Sequence, residues 1–231
     1  FTDFLKKDGM AVINLDDVYG ERLFKEIGHK NKYGFSFTKE ADFESRVILS
    51  NIDYMEIEIK TNNKKYNIKT ELKGKFNAYN VVSAFIVATL LGYDKSAATE
   101  GIYNLKRVPG RLEEVKNELG ISVFIDYAHT PDALLNILKT AKELAKGKLI
   151  VVFGCGGDRD KSKRPVMGEI ASELADVVIV TSDNPRTEDP LVIIEDIKKG
   201  LISNKRIIIQ PDREKAIFDS IFSAKKGDLI L

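Results

Sequence analysis

A single cysteine among 231 residues rules out an intrachain disulfide, and Cys155 alone agrees with a reducing compartment. Charge imbalance is missing as well. The 36 Lys and Arg face 35 Asp and Glu, a formal net charge of +1, so no global field gathers nucleic acid or an anionic membrane. The longest apolar run, "VVSAFIVATLLGY", is too short to cross a bilayer and contains Ser and Thr. Charges scattered through "FTDFLKKDGMAVINL" speak against a signal peptide, so the expected setting is the cytoplasm. The expected partners are small molecules met by a monomer, with no nucleic acid and no membrane. The chain has no G-x-x-x-x-G-K-S/T loop to cradle phosphates, no H-E-x-x-H, no Cys/His metal cluster and no internal repeat. Its own residues therefore show no complete catalytic engine, and no catalytic or metal-ligating residue is assigned.

What is present has a rhythm. In the C-terminal half "ISVFIDYA", "LIVVFGC", "DVVIVTS", "RIIIQ" and "DLIL" read as strands, separated by "TPDALLNILKTAKELAKGK", "RPVMGEIASELA", "PLVIIEDIKKGL" and "PDREKAIFDSIFSA" as helices. Thr130 suits an N-cap and Pro131 the first helical position, with Leu134, Leu138, Ala141 and Ala145 at helical spacing. Continuous apolar strands alternating with helices predict a parallel sheet covered on both faces, an α/β fold of the doubly wound, Rossmann-like kind. The chain stops inside the last strand, so this domain is expected to be cut short at its C-terminus. The N-terminal half differs. "MAVINLDD" reads as a strand, and "YMEIEIKTNNKKYNIKTEL" alternates apolar and polar residues around "TNNKK", the pattern of an antiparallel hairpin. "NAYNVVSAFIVATLLGY" and "SAATEGIYNL" follow as helices. Pro109-Gly110 in "KRVPGRLEEV" breaks the last helix, which predicts domains over 1–110 and 111–231.

In a doubly wound sheet ligands bind beyond the carboxyl ends of the strands. Three strand-exit loops carry unusual chemistry: Asp126-Tyr127-Ala128-His129, "GCGGDRDKSKRP" over 154–165, and Ser182 to Asp189. Only nine arginines occur, yet Arg159, Arg164 and Arg186 fall in two of these loops. Arginine forks match carboxylates bidentately, so a carboxylate-bearing small molecule is the natural guess. Each loop also has a plainer reading. "GCGG" reads as a flexible turn, His129 as part of the helix cap, Cys155 as a small strand-end residue and "DNPR" as a helix lead-in. "GCGGDR" is not a dinucleotide fingerprint, because Arg159 stands where the third glycine should be.

Taken together, "GRLEEV", "IDYAHTPDAL" and "VFGCGGDRDKSKRPVMGEIASELADVVIVTSDNPRTEDP" resemble the Mur ligases of peptidoglycan synthesis, and among them those that add the third amino acid. "MAVINLDD" and "FNAYNVVSAFIVATLLGY" resemble the later part of the family's central ATPase domain. The resemblance implies an ATP-dependent carbon–nitrogen ligase that joins meso-2,6-diaminopimelate to UDP-N-acetylmuramoyl-L-alanyl-D-glutamate through an acyl phosphate. It implies that Arg159, Asp183, Asn184, Pro185 and Arg186 hold the diamino acid, "DNPR" being the family's signature for meso-diaminopimelate. It implies that Asn80, Arg111, Asp126 and His129 approach ATP. The UDP-sugar domain, the P-loop and the modified lysine that holds Mg2+ are expected upstream of Phe1, and a further segment contacting the amino acid's amine downstream. The 231 residues alone are expected to be inactive. Alternatives are a lysine-adding Mur ligase, a folylpolyglutamate synthetase, or an amino-acid-binding module without catalysis.

Overall fold

The computed structural model describes residues 5–62, 64–202 and 206–231. The first four residues of the stretch read against a signal peptide, and Asn63 in the hairpin turn, lie outside the described residues. The chain separates into two compact units, Phe1–Val108 and Pro109–Leu231.

The first unit holds a five-stranded sheet, β1 (Ala11–Asn14), β2 (Lys32–Ser36), β3 (Phe43–Ser50), β4 (Met55–Thr61) and β5 (Lys64–Thr70), in that spatial order. The first three strands are parallel and the last three antiparallel. Alternation fixes the register of β4 on β5: Met55, Ile57 and Ile59 face Thr70, Ile68 and Tyr66. A slip by one residue would bring Glu56 and Glu58 to the apolar face, where each buried Ile contributes about 1.5–3 kcal/mol. Glu58 instead sits on the other face with Arg46 at 2.9 Å and Lys65 at 3.6 Å. Helix α2 (Lys75–Leu90) covers the sheet with a stripe of Ala78, Val81, Val82, Phe85 and Ile86, all buried. Helices α1 (Val18–Glu26) and α3 (Lys95–Asn104) complete the unit, each capped by an aspartate side chain.

Asp16, just past β1, ties the layers together. Its carboxylate accepts from the Ser36 and Thr38 hydroxyls, the Phe37 amide and the Tyr79 hydroxyl. Burial alone would raise this carboxyl, but the four donors bring it down to about 2. Burial, reinforced by the same bond, pushes the Tyr79 phenol up to about 12.

The second unit holds β6 (Glu113–Glu114), β7 (Ser122–Ile125), β8 (Leu149–Phe153), β9 (Val177–Val180), β10 (Arg206–Ile209) and β11 (Leu229–Ile230), in the order β10-β9-β8-β11-β7-β6. All pairings are parallel except β6 with β7. Helices α4 (Pro131–Leu144), α5 (Lys163–Leu174), α6 (Pro190–Lys198) and α7 (Arg213–Ser223) join the strands. The doubly wound expectation holds, with one feature the sequence does not announce. The C-terminal strand β11 does not extend the sheet but enters its middle, between β7 and β8. β8 and β9 are almost wholly buried, as apolar runs without alternation require. Thr130 caps α4 by accepting from the Ala133 amide, with Pro131 next to it. Helix α5 starts at Lys163, two residues before Pro165, and not at the proline.

Candidate functional site

The exits of β7, β8, β9 and β11 border a cleft of about 500 Å³. Its wall includes Asp126 and His129 from the first loop, Gly154, Gly156 and Arg159 from the second, and Asp183, Asn184 and Arg186 from the third. Lys163 and Arg213, at the starts of α5 and α7, also line it. Four cations, Arg159, Lys163, Arg186 and Arg213, thus share the wall with two carboxylates, Asp126 and Asp183. That surplus favours an anionic or carboxylate-rich ligand.

The second and third loops are zipped together by their backbones. The Gly157 amide donates to the Asn184 carbonyl at 2.9 Å. A Cβ on Gly157 would lie 1.8 Å from the Pro185 oxygen, and one on Gly154 would lie 2.4 Å from the Thr181 oxygen. "GCGG" is therefore not the flexible turn it could have been; Gly154 and Gly157 admit a neighbouring backbone, and Gly156 leaves room for the Arg186 guanidinium. Cys155, between them, is buried with Met167 beside its sulfur, and burial pushes its thiol up to about 11, which suits a packing role.

The "DNPR" turn carries strain. The Glu188 amide donates to the Pro185 carbonyl at 3.0 Å, closing a turn in which Arg186 adopts φ +51°. A left-handed conformation at a non-glycine residue costs about 1–2 kcal/mol and persists only where the surroundings over-determine it. The Arg186 guanidinium donates through Nη1 to the Gly157 carbonyl at 2.7 Å, which places the fork against the second loop. Arg159 donates through Nη1 to its neighbour's carbonyl, Asp158, at 3.2 Å.

Not every expected residue reaches the cleft. Arg164 does not join the rim: its side chain is 0% exposed and is spent on Glu188 (2.8 and 3.0 Å) and Asp196 (3.0 Å). Pro185 contributes its carbonyl to the zipped backbones and does not line the wall. Arg111 stands outside the wall, its guanidinium 5.9 Å from the Tyr127 ring centroid, and Tyr127 packs edge-on against His129. Asp126 faces the cleft, but both its oxygens hold backbone, the amides of Leu112 and Ala128 at 2.8 Å each. His129 is exposed, with Nδ1 3.0 Å from the Tyr127 oxygen. Asn80 belongs to the first unit, on α2 one residue beyond the Asp16–Tyr79 anchor, and donates to the Asn77 side chain at 3.2 Å.

Two lining residues escaped the sequence reading. Lys163 donates to the His129 carbonyl at 2.7 Å, and Arg213 to the Ser182 carbonyl at 3.2 Å. Lys163 lies within the second strand-exit loop, where the arginines drew the reading, and Arg213 opens the helix after β10, a strand exit to which the same rule applies.

Glu188 is held at about 2, first by the Arg164 guanidinium and then by the Asp158 amide. A carboxylate lowered on folding binds fewer protons folded than unfolded between its two titrations. Its stabilisation is complete above the ordinary value of 4.5 and is lost as pH falls towards about 2. The urea midpoint is expected to drop across that window, and less steeply in Glu188→Gln; identical slopes would contradict the pairing.

The second unit is an α/β domain of mostly parallel strands whose exits border a cation-lined cleft. The Mur ligase, glutamate ligase domain family matches residues 110–231, and the Mur ligase middle domain family matches residues 1–88. The chain belongs to the Mur ligase family. It is 45% identical over 225 residues to the UDP-N-acetylmuramoyl-L-alanyl-D-glutamate--2,6-diaminopimelate ligase of Clostridium tetani, covering 96% of this chain and 46% of that protein. A solved ligase of the same name superposes with a TM-score of 0.65 at 36% identity, over 96% of this chain and 46% of its own. A MurF ligase from Thermotoga maritima, solved with ADP, shares the fold, with a TM-score of 0.72 at 22% identity over 98% of this chain and 50% of its own. The chain spans about half the length of the curated relatives it matches.

Proposed function

We propose that this chain supplies the amino-acid-binding domain and part of the ATP site of a ligase that adds meso-2,6-diaminopimelate to UDP-N-acetylmuramoyl-L-alanyl-D-glutamate. The observation that carries the reading is the pair of zipped loops, which hold Arg159, Asp183, Asn184 and Arg186 on one cleft wall. Meso-diaminopimelate differs from lysine by a carboxylate at the far end of its side chain. A planar guanidinium is the group best shaped to take it, and Asn184 adds a neutral donor. Asp183 offers a carboxylate to an ammonium of the ligand, and Pro185 stiffens the turn beneath.

ATP supplies the phosphoryl group that activates the acceptor's carboxylate as an acyl phosphate. Arg111, Asp126 and His129 are the residues of the second unit that would approach it. Arg111, Tyr127 and His129 form a cationic and aromatic cluster suited to a nucleotide. Among the described residues no group of three or more His, Cys, Asp or Glu side chains is placed to hold a metal ion. The protein's own contribution is then orientation: fixing the far carboxylate presents the near amine to the acyl carbon, where it forms the amide as phosphate leaves and a proton is released.

The test is ligation by the full-length protein carrying this chain, supplied with ATP, the UDP-linked acceptor and either meso-diaminopimelate or L-lysine. The expected result is ADP release and amide product with diaminopimelate and little with lysine. Preference for lysine would overturn the reading.

A further inference from the structure

Arg164 is an expensive residue to keep. Its side chain is fully buried, and its Nε has no hydrogen-bond partner among the described residues. A buried ion pair of this kind is weak evidence for stability, since apolar side chains of similar volume often serve as well. Its geometry points elsewhere. Glu188, gripped by both Arg164 Nη atoms, also accepts the Asp158 amide at 2.7 Å. The Asp158 carboxylate in turn accepts from the Thr187 hydroxyl at 2.7 Å and the Thr187 amide at 3.2 Å. Asp158 precedes Arg159, and Thr187 follows Arg186. Both Asp158 (φ +52°) and Arg186 (φ +51°) are left-handed.

We propose that Arg164, Glu188, Asp158 and Thr187 form a latch that sets the spacing of Arg159 and Arg186, and through it the selectivity for a ligand bearing a far carboxylate. The proposal rests on the functional reading above. Two long arginine side chains on two loops do not define a carboxylate site unless the loops are fixed to each other. Here the latch crosses from Asp158 and Arg164, on either side of Arg159, to Thr187 and Glu188, just after Arg186. Without it two strained residues are free to relax, and the bidentate geometry disperses over conformers. These four are positioning residues; none is required to touch the ligand.

The experiment is steady-state kinetics and amide hydrogen exchange on the full-length protein. Arg164→Met with Glu188→Leu replaces the buried pair by apolar volume. The expected result is a folded protein with a thermal midpoint below the parental one, because Asp196 loses Arg164, a KM for meso-diaminopimelate raised roughly tenfold or more, and an unchanged KM for ATP. Should that double variant not fold, Thr187→Val removes one exposed latch bond. Its KM for diaminopimelate is expected to rise roughly three- to tenfold, with Thr187→Ser restoring it. In both variants exchange should quicken in residues 156–160 and 184–188 together. Parental KM and parental exchange in Thr187→Val would overturn the latch. A parental protein that does not ligate diaminopimelate would instead overturn the functional reading, with the exchange result still deciding whether the latch couples the loops.

Discussion

Replacing Arg186 with Ala is expected to raise the KM for meso-diaminopimelate roughly 10²–10³-fold in the full-length ligase, with the KM for ATP unchanged. Arg186 is exposed in the open cleft, and once a bound ligand desolvates it, losing one partner of the charge pair costs about 2–5 kcal/mol, each 1.4 kcal/mol being a factor of ten. Arg186 sits on a strained turn, bonded to the Gly157 carbonyl and facing the same cleft as Arg159. A substitution that only disturbed the turn, which Ala leaves as strained as Arg does, would weaken both amino acids alike. Kinetics with both diamino acids separate the two, because L-lysine has no far carboxylate to lose. A parental KM for diaminopimelate would remove Arg186 from the site.

The largest stability effect is expected at Arg164→Ala. The change takes the buried guanidinium from Glu188 and Asp196, whose side chains are 13% and 19% exposed and which keep only the exposed Lys161 (3.1 Å) and Lys199 (2.5 Å) as cationic partners. Breaking a buried pair costs about 3–5 kcal/mol, and partial access of water to both carboxylates places this one near 3. Arg159→Ala is the control: that side chain is exposed and has one bond, to a carbonyl, so about 0.5 kcal/mol or less is expected. Urea unfolding of the two variants measures the difference. Equal losses would show that the buried network does not stabilise the unit.

These two arginines also mark where sequence reading succeeds and where it stops. Both stand in polar loops after apolar strands, and nothing within a few residues distinguishes them. Arg164 is buried because Glu188 and Asp196 come to it from 24 and 32 residues away, a juxtaposition that only the folded chain creates. Local signals were sufficient for α4, whose Thr130 cap, Pro131 and apolar stripe are coded within one helix, and for β4–β5, whose alternation sets the pairing. They were insufficient for strand order: β11 lies between β7 and β8 through long-range pairing that its own residues do not specify. β3 passed unread because Val47, Ile48 and Leu49 break its alternation at a bulge and stay exposed. α1 passed unread because it buries no residue. At the site, the residues of the "DNPR" turn were legible, but the left-handed Arg186 and the glycine contacts that aim it were not. Both depend on a second loop packing within van der Waals range.

The central claim is that the cleft recognises a carboxylate that lysine lacks. Isothermal titration of the full-length protein with meso-diaminopimelate and with L-lysine tests it most directly. The expected result is tighter binding of diaminopimelate by roughly 100-fold or more, the cost of leaving a guanidinium without its partner. Equal affinities for the two would contradict it.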